Sequence, residues 1–211
     1  LIMGTNMSWA FVDGVSLQEL YKILDLEPTD ATLDYTDLGT SGVPLAGAKL
    51  APGWSAIFGN YALVMDLLLG TTPPRLARLP AQSRCIACVV LEHAMVSYAG
   101  YWQGAERVWE VRHDAGDHLE ATGALPEEYA RLRDNAIARQ RPSQPGSWTV
   151  DYLFDVPTDT AATVTGYPDR WAMRADIFGE LRALKPANGN DLARLSTLPQ
   201  WWQLTNSMQY R

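Results

Sequence analysis

Residues 84–113 read RCIACVVLEHAMVSYAGYWQGAERVWEVRH, and the fold turns on how this stretch is read. Its first part, Cys85 to Leu91, is a continuous apolar run rich in valine and isoleucine types. Such a run fits a strand buried on both faces, in the middle of a sheet. Residues 84–102 as a whole read as one long strand. Gly104 stands where the chain must reverse. Beyond it, Arg107-Val108-Trp109-Glu110-Val111-Arg112 alternates polar and apolar, as a half-exposed partner strand does. A two-residue turn at Gly104-Ala105 sets a register in which His113 lies opposite Val96. Tyr98, Val111 and His113 then share a face with Glu92.

Working outward, residues 8–12 and 54–58 read as short strands rich in aromatic and β-branched types. Ser16 followed by Glu19 fits a capping box, in which hydroxyl and carboxylate each satisfy a free backbone N–H. A helix over 17–25 follows, with Leu17, Leu20, Tyr21 and Leu24 at helical spacing. Residues 27–53 are broken by proline and glycine and read as irregular, with a short strand near 45–50. Residues 61–69 are apolar almost throughout, so periodicity does not separate strand from helix. Pro73-Pro74 breaks the chain before a short helix near 75–79.

Pro126-Glu127-Glu128 opens a helix that runs to 141, since proline suits the first position and acidic residues suit the positive end of the dipole. Tyr129, Leu132, Ala136 and Ile137 form its expected buried stripe. Residues 142–147, Pro-Ser-Gln-Pro-Gly-Ser, read as a linker. Helices near 157–165 and 174–184 are expected beyond it. The pattern predicts an α+β fold: a central, mostly antiparallel sheet built on the hairpin at about 84–113, with the helices at 17–25 and 126–141 covering a face. A single domain over 1–211 is expected, with 148–211 as a second layer on the same core or a small helical appendage.

Composition narrows the function classes. The chain has 211 residues and a formal net charge of −7. A negative field repels phosphate backbones and anionic membrane surfaces, so neither nucleic acid nor membrane is an expected partner. The field favours a basic protein or a cationic ligand. No run approaches the length of a membrane span, and the N-terminus lacks the basic and apolar regions of a signal peptide. Leu1–Asn6 is expected to be an upstream extension, with Met7 as the native start and the cytoplasm as the compartment.

The chemical motifs have ordinary structural readings. Cys85-Ile86-Ala87-Cys88 matches C-x-x-C, but redox pairs open a helix, and this one lies in a strand. Side chains three apart on a strand face opposite ways, so two buried core cysteines are expected. Gly53-Trp54-Ser55-Ala56-Ile57 lacks the second glycine of a nucleophile elbow. The glycines at 39, 42 and 47 do not make a phosphate loop. No cofactor is expected.

All three histidines lie between residues 93 and 118. Glu92, His113, Asp114, Asp117 and His118 could gather at one end of the sheet, and imidazole with carboxylate suits a divalent metal or general acid–base work. Their spacing matches no metal signature such as H-E-x-x-H, so no metal is assigned. Glu92, His113, Asp114 and His118 stand as candidate catalytic residues. Glu92 can equally pair with Arg107 or Arg112. Among the eight tryptophans, Trp109 alternates inward and reads as core. Trp102 beside the turn, and the Trp201-Trp202 pair, are candidate exposed anchors for a binding partner.

The segment Glu92-His93-Ala94-Met95-Val96-Ser97, followed by Trp102-x-Gly104, Val108-Trp109-Glu110-Val111 and His113-Asp114, resembles an uncharacterised family of bacterial proteins. Gly53-Trp54 and Asp151-Tyr152-Leu153-Phe154-Asp155-Val156-Pro157 belong to the same resemblance, which spans about residues 8–160. It implies a bacterial source and a shared fold, and it carries no activity. In size, acidity and lack of motifs the chain is also similar to bacterial immunity proteins, the small acidic inhibitors of secreted toxins. The expected function is therefore protein interaction of toxin-immunity type, with a basic protein partner. The alternative is a small-molecule or metal-dependent enzyme built on the Glu/His/Asp cluster. Composition leaves the oligomeric state open.

Overall fold

The apolar run at 85–91 forms strand β5 (Arg84–Leu91), and every residue after Arg84 is buried. Its side chains divide between two cores. Cys85, Ala87, Val89 and Leu91 enter one, while Ile86, Cys88 and Val90 enter the other. This two-sided burial is the reason the run shows no polar alternation. The structure is a computed structural model that describes residues 6–34, 45–50, 53–60, 63–114, 118–140, 150–167 and 180–188.

The remaining strands are β1 (Asn6–Asp13), β2 (Leu26–Leu33), β3 (Leu45–Lys49), β4 (Ser55–Asn60), β6 (Val96–Gln103), β7 (Glu106–Asp114), β8 (His118–Gly123) and β9 (Leu181–Pro186). Among the described residues they form one nine-stranded sheet in the order β2-β9-β3-β4-β1-β5-β6-β7-β8. Every pairing is antiparallel. The α+β expectation, with a central antiparallel sheet and packed helices, holds.

Helices cover both faces rather than one. Helix α1 (Leu17–Ile23) and helix α2 (Leu63–Leu69) share the core that holds Leu20, Leu24, Val64, Met65 and Leu68. Helix α3 (Glu128–Arg139) and helix α4 (Val156–Thr165) share the other, with Tyr129, Ala136, Val156 and Ala161. The Ser16 capping box forms as expected: Glu19 N–H donates to Ser16 Oγ at 3.2 Å, and Ser16 N–H donates to Glu19 Oε2 at 2.9 Å. The ambiguous run at 61–69 resolves as α2 over 63–69. Val64, Met65, Leu67 and Leu68 point to the sheet at i, i+3 and i+4 spacing, and the Val64 N–H donates to the buried Ser8 hydroxyl at 3.0 Å.

Several expectations need correction. Residues 84–102 are two antiparallel strands, not one. The chain folds back through a 3₁₀ turn at Glu92–Ala94, with Met95 left-handed at φ 51°. Glu92-His93 is thus a polar corner. The turn at Gly104-Ala105 is correct, and Gln103 pairs Glu106 across it. One extra residue, Val108, then bulges β7, so Tyr101 pairs Trp109 and His113 lies opposite Ser97, not Val96. A bulge reverses the facing of everything beyond it. Val111 and His113 do share a face, but Tyr98 lies on the other.

The irregular reading of 27–53 missed β2. The helix expected at 174–184 gives way to β9 over 181–186; residues 174–179 lie outside the described set. In β9, Leu181 and Leu184 sit in different cores, as alternation in a strand requires. β9 inserts between β2 and β3, so part of the segment beyond 148 belongs to the sheet itself. On α3, Ile137 is 55% exposed, outside the stripe of Tyr129 and Ala136. At 3.6 residues per turn it stands about 100° round the helix from Ala136.

Candidate functional site

Glu92, His113, Asp114 and His118 do not gather at one point. Asp114 and His118 face each other as a cross-strand pair of β7 and β8. His113, the neighbour of Asp114, points to the opposite face. Glu92 sits in the β5–β6 turn. Asp117 lies outside the described residues. Among the described residues no group of three or more His, Cys, Asp or Glu side chains is placed to hold a metal ion.

Each histidine has a local partner. His93 Nδ1 meets Asn6 Oδ1. His118 Nε2 meets Glu120 Oε1 at 2.8 Å on the exposed end of β8. His113, fully buried, donates from Nε2 to Asp151 Oδ2 at 3.1 Å. Its ring also stands edge-on to Phe154, with centroids 5.9 Å apart. Ser97, the cross-strand neighbour of His113, donates from its buried hydroxyl to the Phe154 carbonyl at 2.6 Å. Asp151 in turn accepts the Leu153 N–H at Oδ1, 3.1 Å away. Ser97 and His113 together therefore fasten the turn at 151–155, which leads into α4, onto the sheet. This is a packing device. Asp151 and Ser97 were legible only as parts of the family resemblance, because nothing in their spacing ties them to His113.

The opposite face of the β6–β7–β8 end is lined by charged side chains. Arg107 Nη1 donates to Glu110 Oε2 at 2.6 Å, and Arg112 pairs Asp114 at 2.9 Å. Arg107 and Arg112, the two arginines expected as partners of Glu92, each engage a carboxylate on β7. The Tyr98 hydroxyl donates to Glu110 Oε2 at 3.2 Å. Burial, reinforced by the Glu110 carboxylate, pushes the Tyr98 pKa well above the usual phenol range, so the hydroxyl stays a donor. Thr122 reaches Glu110 Oε1 from β8 at 3.4 Å. Among the described helices, α1 packs on β2, β3 and β4, and α2 on β1, β4 and β5, away from this end of the sheet. β8 ends the sheet, and no described strand pairs its outer edge.

The aromatic candidates also resolve. Trp102 is not an exposed anchor. It is 4% exposed, folded back over Gly100, where an added Cβ would stand 2.5 Å from both Trp102 Cη2 and the Tyr98 hydroxyl. The absent side chain at residue 100 is what lets Trp102 turn inward beside a hairpin tip. Trp109 is core, as expected. Trp201 and Trp202 lie outside the described residues.

The cysteines are both fully buried and free, one in each core. Burial pushes the Cys85 thiol up to about 12 and the Cys88 thiol further still. Nucleophilic thiols need the reverse shift. Among the described residues no helix is long and apolar enough to cross a membrane. Comparison with models of known protein families, with curated proteins and with solved structures finds no match to this chain.

Proposed function

We propose that this protein is an interaction module of toxin-immunity type, an acidic inhibitor that binds a basic protein. The observation that carries the reading is the β7–β8 end of the sheet. A terminal strand whose outer edge no described strand pairs lies beside three carboxylates, Glu110, Asp114 and Glu120, interleaved with Arg107 and Arg112, on a face that neither α1 nor α2 packs against. An exposed edge can accept a partner strand through main-chain hydrogen bonds. Carboxylates beside it select a basic partner and speed its approach. The net charge of −7 adds a long-range attraction of the same sign.

Two further observations support the reading over the enzyme alternative. The histidines and cysteines are each engaged in packing or local pairs, and the cluster Glu92, His113, Asp114 and His118 is divided by the sheet. The test is capture of a partner by the full chain at low salt and its release at high salt. Glu110→Lys with Glu120→Lys serves as the variant that should fail to capture it.

A further inference from the structure

At the other end of the sheet, β2 and β9 lose register. Pro28 pairs Leu184 and Thr32 pairs Arg182, so β2 spends Thr29, Asp30 and Ala31 where β9 has Ala183 alone. Thr29 Oγ1 accepts the Ala31 N–H at 3.2 Å and holds the bulge. A bulge at a sheet edge re-aims side chains, and this one opens a cleft of about 410 Å³ between α1, β2, β3 and β9. That volume lies at the small end of the range for ligand sites.

The floor of the cleft is built around Tyr21. Its ring lies over Gly47, where an added Cβ would stand 2.5 Å from the Tyr21 hydroxyl. Gly47 pairs Arg182 on β9, and Lys49, two residues along β3, shares its face. Tyr21 is 6% exposed. Among the described residues its hydroxyl has no hydrogen-bond partner, and it lines the cleft. Burial raises its pKa to about 12, against a smaller opposing pull from Arg182, so it is a proton donor.

The charges around this hydroxyl are sorted. Arg182 Nη2 holds Glu180 Oε1 at 2.7 Å, and Thr32 Oγ1 donates to the same oxygen at 3.1 Å. Lys49 makes no ion pair among the described residues, nor does Asp30 at the tip of the bulge, and both line the cleft. Among the described residues the cleft thus offers an ammonium without an ion pair, a guanidinium and a phenol donor, and, from the bulge, a carboxylate without an ion pair. Leu17 and Pro28 supply apolar contact.

We propose that this cleft binds a small zwitterion of the free amino-acid class, its carboxylate held by Lys49, Arg182 and the Tyr21 hydroxyl and its ammonium by Asp30. The site lies at the far end of the sheet from β8 and does not depend on the protein-binding reading. A phenol donor on the floor of a cleft can hydrogen-bond such a ligand, and charges of both signs that make no ion pair among the described residues match its two ends.

The experiment is a heteronuclear NMR titration of the full chain. The probes are the free amino acids taken one at a time, and their N-acetyl and carboxamide forms. Saturable shifts at Tyr21, Asp30, Lys49 and Arg182 are expected for at least one free amino acid. Lys49→Met and Asp30→Asn, both at exposed positions, should each weaken binding about tenfold or more, the effect of one charge-assisted hydrogen bond. Blocking either end of the ligand should do the same. No saturable shift with any free amino acid would overturn the proposal. So would binding that both variants leave intact, or equal binding of the N-acetyl form. An unchanged melting temperature of the two variants separates lost binding from lost fold.

Discussion

His113 Nε2 and Asp151 Oδ2 meet at 3.1 Å with the imidazole fully buried. The contact joins strand β7 to a turn that follows helix α3, and the Ser97 hydroxyl reinforces it by holding the Phe154 carbonyl beside the ring. Hydrogen bonds to charged groups contribute roughly 1.5–3 kcal/mol each. Asp151→Ala should therefore destabilise the fold by about 2 kcal/mol, and Ser97→Ala by about 1–3 kcal/mol, since it removes a buried hydrogen bond to the Phe154 carbonyl. Chemical denaturation checks both. A double-mutant cycle between Ser97 and His113 should show coupling, because they secure one turn.

Gly100 and Gly47 are predicted to resist even the smallest side chain. A Cβ at 100 would press on Trp102 and the Tyr98 hydroxyl, and one at 47 would press on the Tyr21 ring. Overpacking of this kind costs typically about 1–3 kcal/mol. Gly100→Ala should lower the melting temperature and expose Trp102, seen as a red shift in tryptophan emission. An unshifted melting curve would show that the aromatic layer yields more freely than its packing implies.

Neither thiol should react in the folded protein. Both are buried, and burial holds both protonated. Titration with a thiol reagent should find no reactive cysteine under native conditions and two after denaturation. Fast native labelling of either would contradict the two-core placement.

Asp25 supplies a pH dependence. Burial raises its carboxyl, but hydrogen bonds from Arg75 and Arg78 outweigh this and hold it below the usual aspartate range. A carboxylate depressed in the folded state contributes stability that is complete above its unfolded pKa. The contribution is lost as pH falls through the folded one. Asp25→Asn should therefore be less stable than wild type at neutral pH, by about 2 kcal/mol. The difference should shrink as pH drops below about 4. Urea midpoints of the two proteins across that range read it out.

What could be seen in the sequence follows from the range of the forces involved. Local signals were legible: the Ser16 capping box, the Gly104 turn, and the two-sided burial of Cys85 to Leu91. Non-local pairings were not. β9 is a strand because β2 and β3 flank it, and six residues ending in proline carry no sign of those neighbours. The bulge at Val108 is one residue, yet it moves His113 from opposite Val96 to opposite Ser97 and separates it from Tyr98. The candidate cluster rested on that register, so it dispersed with it. Trp102 seemed exposed because it adjoins a turn; the room made for it at Gly100 is a property of packing.

The β7–β8 end of the sheet is proposed to bind a basic protein. The most direct measurement is a side-by-side affinity capture at low salt from lysate of the source organism, read by mass spectrometry. Wild type and Asp30→Asn should both retain one stoichiometric basic protein, released at high salt, while Glu110→Lys with Glu120→Lys retains none. Capture of no such protein by wild type, or equal capture by the charge-reversed variant, would contradict the account.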